Sequence, residues 1–398
     1  MKVLQMNCWF GEGSTGKIVY AVHEYLRRKN DESYVIYGMG NRTNDLCAFR
    51  TTPKAVRKLQ SLRARITGYP YGGCVWGTTT AIHYLKCVAP DVVHIHCING
   101  YMVNIYKILK YLKKNNIPTV LTNHAEFMYT GGCTHAIGCD KWKTGCFSCT
   151  RIKKEHPITY FFDRTEKEWK LMQQAYSGFE KLHICNVSDW VTNRALQSPF
   201  YKGYPVDTVF NGLNTKIFYY RESVGENVCT EDKPIIVHVT PGFNDKIKGG
   251  KHVLEMAKRM PEVEFYIVGD SGGVTTSLKN VKLLGKARSQ EELAMYYSIA
   301  NVCLITSLRE TYSMVTAESL CCGTPVVGFK AGGPESIALK KYSTFVNQGD
   351  DNALEMALKD MLNRTMQRRI ISDEACEKYS EKRMCEQYYA IYKKMLKN

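Results

Sequence analysis

The chain has no run of about 18 apolar residues, so no segment reads as a helix that crosses a bilayer. It is short of carboxylates: 38 Asp and Glu stand against 54 Lys and Arg, a formal charge of +16 over 398 residues. There is no short-period repeat and no low-complexity tract, which excludes solenoid and tract-rich architectures. The first residues lack the apolar core of a secretory leader. One lysine precedes Val3-Leu4-Gln5-Met6-Asn7-Cys8, and Glu12 follows closely. That segment reads as a first buried strand, and the chain is expected to be cytoplasmic. With 44% hydrophobic and 23% charged residues the composition is globular, neither disordered nor fibrous. The length exceeds what one hydrophobic core ordinarily supports, so two domains are expected.

The positive charge is unevenly placed. Residues 1–150 hold 19 Lys and Arg against 8 Asp and Glu, a net of +11. The basic segments are Arg27-Arg28-Lys29, Arg50 through Arg65, Lys107 through Lys114, and Arg151-Ile152-Lys153-Lys154. Such a half suits a polyanion, whether membrane surface, nucleic acid or phosphorylated substrate, although any single run also serves as a solvated face.

Short apolar runs alternate with amphipathic stretches, the pattern of α/β layers with parallel sheets. The first series of strands is expected at Val3–Cys8, Tyr34–Tyr37, Asp91–His96, Thr119–Asn123, Leu182–Val187 and Val206–Phe210. Helices are expected near Gly16–Arg28, Asn104–Lys114, Asp163–Tyr176 and Asp189–Gln197. A second series follows Pro234, with strands at Ile235–Thr240, Val263–Gly269, Val281–Gly285, Asn301–Ser307 and Pro325–Phe329. Its helices are expected at Gly249–Met260, Gln290–Ile299 and Ser313–Cys322, and the last forty or so residues read as helical. The polar stretch Tyr219–Lys233 marks the boundary region. Two such series predict two Rossmann-like domains with parallel sheets facing a cleft.

Gly11-Glu12-Gly13-Ser14-Thr15-Gly16 matches GxGxxG between a strand and a helix, where glycines let backbone N–H groups approach a phosphate. The second strand ends Val35-Ile36-Tyr37-Gly38 with no carboxylate for a ribose, so the loop is not read as a NAD fingerprint. In the second half, Glu310 and Glu318 stand eight residues apart across a strand-to-helix loop. Carboxylates so placed suit sugar hydroxyls, and helix N-terminal amides suit a diphosphate. A lone helix charge at Glu318 is the bland alternative.

With its flanks, this segment resembles the E-x7-E motif of glycosyltransferase family 4, whose members are retaining GT-B enzymes that use nucleotide-sugar donors. The glycine loop near Gly13, the Val93-His94-Ile95-His96 strand, Asn211-Gly212, Lys248-Gly249-Gly250 and Ala331-Gly332-Gly333-Pro334-Glu335 stand where that family has counterparts. The likeness is to members from bacterial capsule, O-antigen and exopolysaccharide clusters. It implies an acceptor domain over residues 1–212 with a cysteine-rich insert near 131–150. It further implies a nucleotide-sugar domain over 213–378 and a helix at 379–398 that crosses back to the first domain. By the same resemblance Glu310 binds donor-sugar hydroxyls, Glu318 the ribose, and the amides of Met314 and Val315 the diphosphate. Lys248 neutralises the diphosphate, His124 contacts the donor sugar or phosphate, and Gly13 and Gly16 form a loop over the phosphates. The donor is a UDP- or GDP-sugar, the acceptor a lipid-linked or other oligosaccharide, and no metal is needed for transfer. Two departures stand out. Gly242 occupies the place of a family arginine, which leaves Arg309 or Lys246 as the replacement cation, and the loop reads Glu-Thr-Tyr-Ser in place of Glu-Gly-Phe-Gly.

Of the 16 cysteines, Cys133, Cys139, Cys146 and Cys149 fall within seventeen residues, and Cys-x2-Cys is a common zinc half-site. The cluster is read as structural zinc, with unligated thiols and a redox pair as alternatives. Pro53–Thr67 places Ala55, Val56, Leu59, Leu62 and Ile66 on one helical face and Arg57, Lys58, Arg63 and Arg65 elsewhere. That pattern fits either packing on its own domain or a peripheral position on the anionic inner face of the cytoplasmic membrane. His94 and His96 read as structural or cleft-lining residues. The rival functions are a nucleotide-sugar epimerase of the same architecture and a zinc-dependent nucleic-acid-binding protein. The latter leaves the glutamate pair and the Lys-Gly-Gly turn unexplained, so nucleic acid is not expected as a partner.

Overall fold

The computed structural model describes residues 1–153, 158–222 and 233–397. Lys154 of the fourth basic segment, and residues 223–232 of the polar stretch Tyr219–Lys233, lie outside the described residues. The chain forms two compact units: Met1–Val209 with Met384–Asn398, and Phe210–Arg383.

The first unit is a seven-stranded sheet of β1 (Lys2–Asn7), β2 (Glu32–Tyr37), β3 (Ala48–Arg50), β4 (Val92–Ile95), β5 (Thr119–Asn123), β6 (Leu182–Asn186) and β7 (Val206–Thr208). Its order is β3-β2-β1-β4-β5-β6-β7, and every pairing is parallel. The second unit contains β8 (Ile235–Thr240), β9 (Glu264–Gly269), β10 (Val281–Gly285), β11 (Val302–Ile305), β12 (Val326–Phe329) and β13 (Ser343–Val346). Their order is β10-β9-β8-β11-β12-β13, again parallel throughout. A parallel sheet needs helices on both faces, so its central strands are buried on both sides and read as continuous apolar runs such as Val302-Cys303-Leu304-Ile305.

In each sheet the winding reverses beside the first strand, β1 or β8. Loops leaving the ends of β1 and β4, and of β8 and β11, therefore open at a switch point, where doubly wound sheets hold ligands. The flanking helices follow their apolar spacing. Helix Ile105–Lys114 buries Ile105, Ile108, Leu109 and Leu112, and Asn104 caps it by accepting from Lys107 N at 3.0 Å. Helix Glu381–Lys397 presents Met384, Tyr388, Ile391 and Tyr392 to the first unit, packed with Val3, Val92, Val120 and Cys185.

Every strand expected from the sequence is present within two residues. Two edge strands, β3 and β13, the helix Asp351–Asn363 and the helix Val75–Val88 were not anticipated. That helix starts after Cys74 and ends before Ala89, both in the left-handed region without being glycine, so neither end carries a capping signal. Among the described residues no helix is long and apolar enough to cross a membrane.

Candidate active site

The switch point of the second unit brings two loops together. The loop after β8 turns at Gly249, whose φ is +71° and where a Cβ would lie 2.2 Å from Thr306 O. Only glycine fits that turn. Thr306 Oγ1 donates to Lys248 O at 2.9 Å and Leu308 N donates to Ile247 O at 2.7 Å, which stitches this loop to the one after β11. The second loop is clamped in turn. Glu310 N donates to Ala331 O at 3.0 Å, and Gly333 N donates to Glu310 O at 2.8 Å. Glu335 holds that clamp by accepting from Ala331 N at 2.9 Å and Gly332 N at 2.8 Å. The outcome is Lys248 Nζ placed 2.6 Å from Glu310 Oε1, each side chain only 23% exposed. A charge-assisted pair of this kind, partly withdrawn from water, is held in one geometry on rigid loops.

Just beyond, Ser313 adopts φ +85° and caps helix Met314–Cys321, its Oγ accepting from Thr316 N at 3.3 Å. The amides of Met314 and Val315 begin this helix, where N–H groups have no partner within the helix and no acidic residue occupies the first turn. Glu318 lies one turn in and is half-buried, and its Oε2 accepts from Tyr297 OH at 3.0 Å. Tyr297 had no signal in the sequence beyond its apolar spacing. At Gly242 a Cβ would meet nothing closer than 3.9 Å, so the position simply lacks a side chain. Lys246 lines a cavity of about 830 Å³ with Phe243, Gly249, Lys251, Gln348 and Asp351.

In the first unit, Gly13 is the first residue of helix Gly13–Arg28, with φ +67° and open space around its Cβ position. Gly16 is glycine for a different reason: a Cβ there would touch Trp9 Cβ at 3.0 Å, so it serves packing. His124 follows β5 and lies in a buried chain of neutral rings. Gln5 Nε2 donates to Val19 O at 3.1 Å, so its Oε1 faces His96 Nε2 at 3.2 Å. His96 Nδ1 must then accept the 3.0 Å hydrogen bond from His124 Nε2. Burial holds His124 down at about 3, and burial keeps His94 and His96 well below the usual imidazole range. His124 therefore acts only as a neutral hydrogen-bonding group near pH 7.

The insert after His124 is tied to the unit by Glu126, which is fully buried. It accepts from Arg194 Nε at 2.7 Å, Tyr129 OH at 2.9 Å and Ala136 N at 2.8 Å. Cys133, Cys139, Cys146 and Cys149 all line one cavity of about 40 Å³ beside Arg151. Tetrahedral zinc at Zn–S of about 2.3 Å would set the sulfurs roughly 3.8 Å apart. Among the described residues only His23, Glu24 and Asp45 bring three such ligand atoms within 4.8 Å of one another. The thiols thus share a cavity without standing at ligand spacing. Arg27 already pairs with Asp45 at 2.8 Å, so that trio is neutralised by a guanidinium.

Two doubly wound parallel units, one with a lysine–carboxylate pair at its switch point beside a helix N-terminus, define a GT-B fold. Solved structures share it. A glycosyltransferase from Rickettsia africae superposes with a TM-score of 0.70 at 14% identity, over 100% of this chain and 99% of that one. HepE of Anabaena in complex with UDP does so with a TM-score of 0.66 at 13% identity, over 99% of this chain and 100% of that one. The family described as Glycosyl transferases group 1 matches residues 233–364. The second unit is therefore a group 1 glycosyltransferase domain, and the resemblance drawn from the glutamate motif is borne out. Along its whole length the chain is similar to the putative colanic acid biosynthesis glycosyl transferase WcaC of Escherichia coli, 20% identical over 409 residues, covering 99% of this chain and 100% of that protein.

Proposed function

We propose that the chain is a retaining glycosyltransferase that moves a sugar from a nucleotide-sugar donor to a lipid-linked or other oligosaccharide acceptor in bacterial surface polysaccharide synthesis. The observation that carries this reading is the Lys248–Glu310 pair, 2.6 Å apart at the β8–β11 switch point. Full-length likeness to WcaC supports the polysaccharide setting, and the UDP held by HepE supports the donor class. In this reading Lys248 turns from Glu310 to the donor diphosphate, freeing the carboxylate for sugar hydroxyls. The amides of Met314 and Val315 hold the diphosphate, and Glu318 takes the ribose hydroxyls. Two first-unit expectations do not carry over: His124, neutral and already giving its Nε2–H to His96, has no N–H left for a phosphate, and Gly13 and Gly16 lie in the first turn of helix Gly13–Arg28 and not in a loop.

By the family resemblance transfer runs on the front face, with Glu310 given to binding sugar hydroxyls and not to covalent attack. The bond from the anomeric carbon to the diphosphate oxygen breaks as the acceptor oxygen bonds on the same side, and the acceptor proton passes to the departing diphosphate. The protein supplies position and charge stabilisation. The test is a thermal-shift panel with UDP, GDP, ADP and NAD. A ligand at 100 times its dissociation constant adds about 2.7 kcal/mol, so a shift with one nucleoside diphosphate that disappears in Glu318→Ala is expected. Glu310→Ala and Lys248→Ala are expected to abolish transfer while the fold persists. A flat panel, or full activity in either variant, refutes the assignment.

A further inference from the structure

Helix Lys54–Thr67 buries a single residue, Ala64, of its fourteen. Its apolar stripe is left in solvent: Leu59, Leu62 and Ile66 are 64%, 53% and 41% exposed. The stripe continues onto neighbouring segments. Tyr160 N donates to Arg65 O at 2.8 Å and Arg65 Nη1 donates to Tyr160 OH at 3.2 Å, which sets the exposed Phe161 and Phe162 alongside. Cys74 N donates to Gln60 Oε1 at 3.3 Å, which brings in the exposed Trp76. Lys58, Arg63 and Arg65 flank the stripe and are exposed. At the start of the same helix, Arg42, Arg50 and Lys54 line a cavity of about 480 Å³ that has no carboxylate in its wall. Arg50 Nε is buried there without a hydrogen-bond partner. Burial first, and then the charge of Arg50, hold the nearby Arg57 below the usual guanidinium range.

The charge of this region names the occupant. Residues 46–90 contain seven Lys and Arg and no Asp or Glu. A second copy seated on this face by a two-fold axis would bring Lys58, Arg63 and Arg65 against the same cations. An anionic bilayer offers both halves of the match, an apolar interior and phosphate head groups. We propose that this face docks on an anionic lipid bilayer, with Leu59, Leu62, Ile66, Trp76, Phe161 and Phe162 entering the interface and the Arg42–Arg50–Lys54 cavity seating one lipid phosphate. The docking does not depend on the donor chemistry, so its failure would leave the glycosyltransferase reading intact.

The experiment is co-sedimentation of the full chain with vesicles of phosphatidylcholine alone or mixed with phosphatidylglycerol. Binding only to the mixed vesicles, weakening as salt is added, is expected. Leu59→Asp with Leu62→Asp is expected to fall to background. Met356→Asp, a similar change at an exposed methionine of the second unit, is expected to bind as the parent does. Arg50→Gln with Lys54→Gln is expected to weaken binding roughly thirtyfold, at about 1 kcal/mol per cation near an anionic surface. Circular dichroism confirms that each variant is folded. No binding of the parent at low salt, or unaltered binding of the Leu59/Leu62 variant, overturns the docking. Unaltered binding of the Arg50/Lys54 variant overturns the phosphate seat. A dimer in sedimentation velocity that the leucine changes dissociate would hand the face to a second copy.

Discussion

Acid should loosen the first unit well before its carboxylates protonate. His94, His96 and His124 are buried as one hydrogen-bonded set: His94 Nε2 donates to Thr122 Oγ1 at 2.8 Å and its Nδ1 accepts from Tyr392 OH at 2.6 Å. The rings of His94 and His96 lie 3.8 Å apart, so a proton on either would put a cation against its neighbour. All three have folded pKa values depressed below the unfolded value of about 6.5. For a histidine held neutral, the contribution to stability is complete above the unfolded pKa and is lost as pH falls below it, because the unfolded chain takes up the protons. Between about pH 7.5 and about pH 5.5 each ring then costs roughly 1.4 kcal/mol, about 4 kcal/mol for the three. That is a large share of the roughly 5–15 kcal/mol that holds a domain together. His23 and His183, also lowered mainly by burial, add in the same direction. All tryptophans, Trp9, Trp76, Trp142, Trp169 and Trp190, lie in the first unit, so their fluorescence reports its unfolding in urea. The midpoint is expected to fall steeply over this range. An unchanged midpoint, or histidine NMR signals of the three rings titrating near their ordinary value, would refute the reasoning.

Gly249→Ala is expected to cost about 1–3 kcal/mol from left-handed strain alone, and more from the collision with Thr306 O, with transfer activity lost as Lys248 is displaced. Gly13→Ala, equally left-handed but with open space around it, is expected to cost that strain alone, with no added collision. Equal melting temperatures for the two would contradict this. The cysteine insert is expected to hold no stoichiometric zinc after a chelator wash. Its thiols are expected to alkylate slowly near neutral pH, since burial first and then the neighbouring thiols push Cys133 and Cys146 up to about 12. One equivalent of retained zinc in elemental analysis would show instead that the loops close on an ion.

The strands and most helices were legible because parallel sheets write themselves as apolar runs between amphipathic stretches. Strands β3 and β13 were not, since three or four half-buried residues at a sheet edge carry too little periodicity. The candidate site was legible through residue type and spacing at Glu310, Glu318 and Lys248, yet its construction was not. Nothing in the sequence showed that Thr306 and Glu335 hold the two loops, or that Tyr297 meets Glu318. Those bonds join residues far apart in the chain. For helix Lys54–Thr67 the pattern showed two faces but not which was covered, because burial is decided by what packs from elsewhere.

Helix Glu381–Lys397 leaves the ribosome only after the second unit, yet its Tyr388 and Tyr392 complete the core of the unit begun before it. At about 5–20 residues per second, on the order of ten seconds or more separates the first sheet from its final layer. The second unit, contiguous in the chain, has everything it needs before then. A nascent chain therefore carries a finished second unit beside a first sheet whose Val3, Val92 and Val120 are still bare and whose His94 lacks its tyrosine. Chains that stop before this helix would stay in that condition, exposing apolar surface that chaperones and proteases recognise, so the first unit is finished only by residues made after the second.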